Sequence, residues 1–455
     1  MAELNGDERI HIVGAGGAGM SALAKLLWSR GHRVTGSDAR WGPALATLAD
    51  LGLDVWAGHR PEAIDGADLV VASSAVPDSD IEITSAVARG IDVWRRPDLL
   101  DAITAGIPTL GATGTHGKTS STGMLVSAVR AAGVDASFVL GGELVEFGTN
   151  AALGSDPLLV LEADEAFRTF ERVHLTGLMV TNVEAEHVEH FGSVEALEDA
   201  FVEVVRAVDG PVVVCLDDPG GSDLAERSGA PGYGLRPGAA WRMSDVSEVR
   251  GSIRFRLTGP HASCGVVVPR VGLHMARNAA GVLALCAEHG LDLEAAAVGV
   301  AAYRGVRRRF EHRGTVSGVR LVDDYAHHPT EVAATLREAL GSGNTRVVAV
   351  FQPHLYSRTE RFQGEFGTAL AQADVVIVSD VYGAREAPRP GVTGALVADA
   401  AVRAAAPDVR YVPHLADLAG AVAEVARSGD LVLTMGAGDI TVVATEILAA
   451  LERRL

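Results

Sequence analysis

Short apolar runs recur along the chain, most followed by a glycine turn or by apolar residues at helical spacing. Ile10–Gly14 reads as a buried strand; Met20, Leu23, Leu26 and Leu27 then mark a helix ending at Gly31, and Arg33–Gly36 reads as the next strand. Asp68–Val76 is a further apolar strand, with a break at about Ala105–Pro108. A second series follows: a strand opening Thr109–Thr122, a helix with Met124, Leu125, Ala128, Val129 and Ala132 on one face that stops at Gly133, then strands at Pro157–Leu161, Gly177–Val180 and Pro211–Leu216. Around Ser252–Val271 the period changes to two, which predicts a small antiparallel sheet appended to the middle of the chain, before Leu273–Asn278 opens an Ala-rich helix. From about Arg313 a third series places strands at Val347–Phe351, Val375–Val378 and Leu431–Thr434. Alternating strands and helices of this kind predict an α/β protein.

Polar residues gather where these strands end, the place at which open α/β sheets bind ligands. Gly14, Gly16, Gly17, Ala18 and Gly19 form a literal GxGxxG loop, and Asp38 lies 19 residues after Gly19, where a dinucleotide fold carries its ribose-binding acid. His59, Ser73 and Ser74 are candidates for the same crevice. The stretch TLGATGTHGKTSST at Thr109–Thr122 has the order strand, phosphate-cradling loop, helix, although Ala112 replaces the first glycine of the strict pattern. In that loop Lys118 reaches the β- and γ-phosphates of a nucleotide and the Thr119 hydroxyl sits on Mg²⁺. Two later strands deliver Glu162, Asp164 and Glu165, and Thr181, Asn182, Glu184, Glu186, His187 and His190, the hard oxygen ligands and imidazoles a Mg²⁺–ATP site requires. Gly305–Gly314 is a basic linker suited to clamping phosphate, and Val322–Thr330 is dense in Asp, His and Tyr.

Composition narrows the options. The 455 residues predict roughly three domains. A net charge of −19 argues against non-specific binding to nucleic acid. Of 39 Lys and Arg residues only Lys25 and Lys118 are lysines, so a chain that otherwise writes positive charge as arginine keeps a compact ammonium in the loop. Cys215, Cys264 and Cys286 lack metal-ligand spacing and read as reduced, small apolar residues of a cytoplasmic protein. No signal segment is apparent at the N-terminus, and no apolar stretch reaches the roughly 18 residues of a membrane span.

Taken in order, GAGGAGMS (Gly14–Ser21), GTHGKTSS (Gly114–Ser121), EADE (Glu162–Glu165), TNVEAEH (Thr181–His187), RRF (Arg308–Phe310), DDYAHHPTE (Asp323–Glu331) and FQPHLYSRT (Phe351–Thr359) resemble the Mur ligase family over essentially the whole chain. That family forms amide bonds with ATP during the cytoplasmic synthesis of peptidoglycan precursors. The resemblance implies three domains: a Rossmann-like UDP-sugar-binding domain at 1–106, a P-loop ATP-binding domain at 107–312 with a mostly parallel sheet plus the small antiparallel one, and a Rossmann-like amino-acid-binding domain at 313–455. It implies ATP and Mg²⁺ as cofactors, UDP-N-acetylmuramate and L-alanine as the other substrates, no nucleic-acid or membrane partner, and a monomer or homodimer.

Residue by residue, the resemblance implies that Gly14, Gly16, Gly17, Ala18, Gly19, Met20, Ser21, Asp38, His59, Ser73 and Ser74 meet the UDP sugar. Gly114, Thr115, His116, Gly117, Lys118, Thr119, Ser120, Asn278, Arg309 and Asp324 meet ATP. Thr119, Glu162 and His187 hold the metal. Tyr325, His327, His354 and Arg358 surround the amino acid, and Lys118, His187, Arg309 and His327 are the catalytic candidates, with the amine's base open between His187 and His327. There are three departures. No lysine follows Lys118, so the carbamylated lysine of members that add later residues is absent; Leu355 stands where an arginine often follows PH, and Met275 where HN is usual. Competing expectations are a nicotinamide-dependent dehydrogenase, a non-catalytic P-loop sensor, and a recycling ligase that takes a tripeptide.

Overall fold

The computed structural model describes residues 4, 6–185, 190–249, 251–270, 272–341, 346–384 and 386–453, with Phe167 described by its backbone alone. The chain divides into two compact units, one running to Pro269 and resuming at Leu273–Arg304, the other comprising Gly305–Leu455 with Arg270 and Gly272.

The first unit holds two sheets. Strands β1 (Arg9–Val13), β2 (Arg33–Asp38), β3 (Asp54–Ala57), β4 (Leu69–Ala72) and β5 (Asp92–Arg95) form an all-parallel sheet in the order β3-β2-β1-β4-β5. Helices α1 (Ala18–Ser29), α2 (Pro43–Asp50), α3 (Ile81–Arg89) and α4 (Arg96–Thr104) connect them. The second sheet has ten strands: β6 (Thr109–Thr113), β7 (Ser137–Leu144), β8 (Thr149–Ala152), β9 (Leu159–Glu162), β10 (Gly177–Val180), β11 (Val212–Cys215), β12 (Gly232–Gly234), β13 (Trp241–Val249), β14 (Ser252–Thr258) and β15 (Ser263–Val268). Its order is β15-β14-β13-β12-β11-β10-β6-β9-β7-β8, so β6 lies at the centre and the loop after it opens at a topological switch point. Helices α5 (Lys118–Ala131), α6 (Val194–Ala207), α7 (Pro219–Ser228), α8 (Leu273–Glu288) and α9 (Leu293–Ala302) accompany it.

The period-two stretch does form antiparallel β14 and β15, but not as a free-standing sheet. β12 pairs parallel with β13, and β13 antiparallel with β14, so the antiparallel strands extend the central sheet. Fully buried Trp241 on β13 anchors the extension, its Nε1 donating to Glu288 of α8 at 2.7 Å.

The two sheets of this unit share one core. Ile10, Ile12, Leu23, Leu26 and Leu27 pack in the same buried cluster as Val139, Ala151, Leu159 and Leu161. Each such side chain contributes about 1.5–3 kcal/mol by leaving water. Buried Lys25 crosses the seam, donating 2.9 Å to Asn150 Oδ1, while Asn150 Nδ2 donates back to the Ala18 carbonyl at 2.9 Å.

The second unit carries β16 (Glu311–Val316), β17 (Val319–Asp324), β18 (Arg346–Phe351), β19 (Val375–Val378), β20 (Val409–Tyr411) and β21 (Asp430–Met435), ordered β16-β17-β21-β18-β19-β20 and parallel except for β16. Its helices are α10 (Pro329–Gly341), α11 (Tyr356–Leu370), α12 (Ala395–Arg403), α13 (Leu415–Val425) and α14 (Ile440–Glu452). Val322, Val347, Phe351, Phe366 and Leu433 fill the core on one face, and Leu321, Val348, Ile377 and Val432 on the other. Among the described residues no helix is long and apolar enough to cross a membrane.

Candidate functional site

The loop between β6 and α5 is pinned from below by the end of β10. Thr181 Oγ1 donates to the His116 carbonyl at 2.6 Å, Asn182 Nδ2 donates to the same oxygen at 3.0 Å, and Asn182 Oδ1 accepts from the His116 N–H at 2.8 Å. Thr115 N–H donates to the Asn182 carbonyl at 3.1 Å, and Thr115 Oγ1 accepts from Glu184 N–H at 2.8 Å. Gly114 has φ +126°, and a Cβ there would lie 2.2 Å from Thr181 Oγ1, so only glycine lets the loop sit this close. Gly117, at φ +83°, caps α5 and packs beneath Asn278 of α8. Ser120 is half-buried in the helix's first turn.

The loop presents an ammonium and a hydroxyl. Lys118 Nζ donates to the Gly114 and Thr115 carbonyls (2.8 and 3.0 Å) and to the Glu165 carboxylate (2.8 Å). Asp164 Oδ1 stands 3.9 Å from the same nitrogen. Burial works to lower Lys118, but Glu165, Asp164 and Glu162 together hold it above its ordinary value. Burial pushes Glu165 up to about 7 against the pull of Lys118. Thr119 Oγ1 donates to Glu162 Oε1 at 2.8 Å, and Gly141 N–H donates to Glu162 Oε2 at 2.6 Å. Adjacent hydroxyl and carboxylate oxygens are the hard donors Mg²⁺ prefers, so Thr119 and Glu162 fit that ion. His187, the third expected ligand, lies outside the described residues, as does Glu186.

The first glycine loop is folded by its own strand ends. Gly14 and Ala15 N–H donate to the Ser37 carbonyl (both 2.8 Å), and Gly16 N–H donates to Asp38 Oδ2 at 2.9 Å. Asp38 therefore shapes the loop with one of its oxygens. Met20 and Ser21 point inward, Ser21 bonding the Ala18 carbonyl at 3.0 Å. Ser73 Oγ accepts from Ala75 N–H at 3.3 Å, and Ser74 is half-buried beside it. His59 Nδ1 lies 3.1 Å from both Ser37 Oγ and Glu82 Oε2. Glu82 itself is fully buried and also meets His11 and the Arg60 N–H. Burial works to raise its pKa, yet the donors from His11, Ser37, His59 and Arg60 hold it near 2. His59, Asp80 and Glu82 have ligand-type atoms within 4.8 Å of one another, but the Glu82 oxygens already serve these donors.

In the second unit, polar groups converge where β17, β21 and β18 end side by side. Asp324 accepts from Phe310 N–H (2.7 Å), Ala326 N–H (2.8 Å) and Thr335 Oγ1 (3.2 Å), so both its oxygens organise the loops around it. Burial raises its pKa to about 6. Arg308 and Phe310 stand at positive φ, Arg308 held by its N–H bond to Glu311 and Phe310 by its bond to Asp324, and the Arg308 and Arg309 guanidinium groups lie 4.8 and 5.2 Å from the Tyr325 ring centre. His327 Nδ1 sits 3.1 Å from the Tyr325 carbonyl and 3.2 Å from Glu331, and burial lowers its pKa to about 4. The His327 and His354 rings meet edge to face at 5.7 Å, and His354 stacks on Tyr382 at 5.9 Å. Arg358 presents a buried Nη1 without a hydrogen-bond partner among the described residues. Tyr325, His327 and His354, scattered in sequence, are thus ring neighbours, and the Arg358 charge acts on His327. Tyr382 joins them with no sequence signal beyond its place after the apolar β19.

Three family models match the chain in this order: the Mur ligase family catalytic domain at residues 9–107, the Mur ligase middle domain at 112–286 and the Mur ligase glutamate ligase domain at 308–438. UDP-N-acetylmuramate–L-alanine ligase of Mycolicibacterium vanbaalenii is 45% identical over 470 residues, covering 98% of this chain and 97% of that protein. The chain belongs to the Mur ligase family. The enzyme of the same name from Mycolicibacterium smegmatis is also 45% identical, over 98% of this chain and 95% of that protein. The solved UDP-N-acetylmuramate–alanine ligase of Thermotoga maritima superposes with a TM-score of 0.86 at 27% identity, covering 98% of this chain and all of that one. A murein peptide ligase from Psychrobacter arcticus shares the fold at a TM-score of 0.74. Membership makes this Mur ligase an acid–amino-acid ligase and excludes the dehydrogenase expectation raised by the first glycine loop.

Proposed function

We propose that this Mur ligase joins L-alanine to the lactyl carboxylate of UDP-N-acetylmuramate, driven by ATP. The observation that carries this reading is the loop after β6, where one half-buried ammonium, Lys118, stands beside the Thr119–Glu162 oxygen pair. The full-length likeness to relatives named for that reaction supports it. The UDP sugar is assigned to residues 1–106, ATP to 107–312 and the amino acid to 313–455.

The chemistry follows from charge. A carboxylate is a poor acyl donor because its oxygen leaves badly. Attack of a carboxylate oxygen on the γ-phosphorus of ATP expels ADP and gives an acyl phosphate. The amine then attacks the acyl carbon, the amine proton is lost, and inorganic phosphate departs with the C–O bond. Thr119 and Glu162, with His187 by the family pattern, would hold Mg²⁺, which offsets phosphate charge when bound. Lys118 supplies the protein's own share by transferring its ammonium from Glu165 to the phosphates. The loop N–H groups and the N-terminus of α5 orient the triphosphate. Gly114, Thr115, His116, Gly117, Ser120 and Asn278 complete the assignment for the nucleotide, and Arg309 and Asp324 belong to it by the family pattern. In the amino-acid pocket, the unpartnered Arg358 Nη1 is suited to the alanine carboxylate. His327, with its pKa lowered to about 4, is neutral near pH 7 and does not repel the incoming ammonium.

The test is phosphate release from ATP with UDP-N-acetylmuramate and a panel of L-alanine, glycine, L-serine and a tripeptide. Release dependent on L-alanine is expected. Release only with the tripeptide would make the protein a recycling ligase, and ATP binding without release would make it a sensor.

A further inference from the structure

One side chain of β8 grips α1 at two levels. Asn150 is buried, and both ends of its amide are used: Nδ2 donates to the Ala18 carbonyl at 2.9 Å, and Oδ1 accepts from Lys25 Nζ at 2.9 Å. Ala18 is the first residue of α1, directly after Gly17, so the amide holds the turn in which the first glycine loop ends. Lys25 lies seven residues, about two turns, further along the same helix and also meets Thr149 Oγ1 at 3.4 Å. Two attachment points about two turns apart fix the tilt of α1 as well as its distance from β8.

The other strand of the hairpin runs to the Lys118 loop. β7 pairs antiparallel with β8 at Phe138–Ala152, Val139–Ala151 and Leu144–Thr149, and the register shifts between Val139 and Leu144. Gly141 lies in that irregular stretch and donates its N–H to Glu162 Oε2 at 2.6 Å, while Glu162 Oε1 accepts from Thr119. A Cβ on Gly141 would stand 2.9 Å from Glu162 Oε2, so glycine lets the strand approach this closely. One hairpin therefore touches the first turn of α1 through Asn150 and the carboxylate suited to Mg²⁺ through Gly141. Binding either ligand alone does not require such a link. Attack of one bound group on another does, because a misplacement of about 1 Å can lower the rate about a hundredfold.

We propose that Asn150 is a positioning residue for the first chemical step, setting the lactyl carboxylate of a UDP sugar anchored at the first glycine loop against the γ-phosphate held at the Lys118 loop. This inference rests on the substrate assignments of the proposed function. The test compares the wild type with Asn150→Asp, Asn150→Ala and Lys25→Met/Asn150→Ala. Asn150→Asp keeps an acceptor for Lys25 and loses the donor to Ala18. The double variant removes the ammonium that Asn150→Ala would leave without its acceptor, and it stands in if that single variant does not fold. Affinities for UDP-N-acetylmuramate and for Mg²⁺–ATP are measured separately by calorimetry, and kcat by phosphate release at saturating L-alanine. Asn150→Asp and the double variant should keep both affinities within about threefold and lose roughly 10- to 100-fold in kcat. An unchanged kcat overturns the inference, as does a loss that appears equally in the affinity for the UDP sugar, which would make Asn150 a binding residue. A wild type that binds both ligands and releases no phosphate overturns the proposed reaction and this inference with it, whereas a full-rate Asn150→Asp overturns this inference alone.

Discussion

Replacing Lys118 with alanine removes a charge whose partners among the described residues are the Gly114 and Thr115 carbonyls and the Asp164 and Glu165 carboxylates. Two of its three protons are held by the Gly114 and Thr115 carbonyls and the third by Glu165, so phosphate gains Lys118 by displacing one of these acceptors, and displacing Glu165 exchanges one anion for another. Losing that charged bond should weaken ATP binding by about 1.5–3 kcal/mol, roughly 10- to 150-fold. The variant also frees Glu165. With Lys118 in place burial already sets its pKa at about 7, and without the ammonium it rises further, so the carboxyl is neutral at pH 7.5 and ionises as the pH climbs. An ionised Glu165 about 5 Å from a phosphate charge costs about 3 kcal/mol at an effective dielectric constant of about 20, roughly a hundredfold in affinity. ATP titrations of Lys118→Ala between pH 7.5 and 9.5 should therefore show affinity falling with pH, and Lys118→Ala/Glu165→Gln should be flat. Phosphate release should be lost in both, while UDP-sugar affinity is retained. A flat profile in the single variant, or full turnover without the lysine, would refute the reasoning.

Glu162→Ala should raise the Mg²⁺ concentration needed for half-maximal phosphate release by tenfold or more, since it leaves Thr119 as the one described ligand; an unchanged Mg²⁺ titration would remove Glu162 from the metal's shell. Gly114→Ala forces a Cβ to 2.2 Å from Thr181 Oγ1 at φ +126°, and should cost about 2–4 kcal/mol by urea unfolding and abolish ATP binding; a wild-type midpoint would show that the loop is not pinned as described. Glu82 has its folded pKa depressed to about 2 from 4.5, so its contribution, about 3 kcal/mol at most, is present above pH 4.5 and lost as the pH falls towards 2. Urea unfolding across that window should be steeper in pH for the wild type than for Glu82→Gln, and equal slopes would count against the network.

The strands that were legible are those buried on both faces. β4, β10 and β19 read as unbroken apolar runs because helices cover both sides of their sheets, and β1 and β21 are broken only by buried polar residues such as His11 and Thr434. Edge strands β3, β5, β16 and β20 carry exposed or half-exposed residues such as Asp54, Asp92 and Arg410 and gave no run to read. β13 has one buried end and a polar remainder, which is why β14 and β15 looked detached from the sheet they extend. The glycine loops and Lys118 were legible because backbone geometry and a compact charge dictate residue type at each place. Glu82 was not, since its meaning lies in partners far along the chain: Ser37 is 45 residues from it. Asp38 and Asp324 were readable as important, but not as residues whose oxygens shape their own loops.

The Lys25–Asn150 crossing has a consequence for exchanging parts between relatives. Burial already lowers the Lys25 pKa, and Asn150 Oδ1 is its principal acceptor. A chimera spliced after residue 106 that imported a middle segment without this asparagine would strand an ammonium in an apolar seam, and one that imported a bulkier residue at Ala151 would pry α1 from β8. The front lobe is therefore not a cassette: its lysine and the matching asparagine must be inherited as a pair.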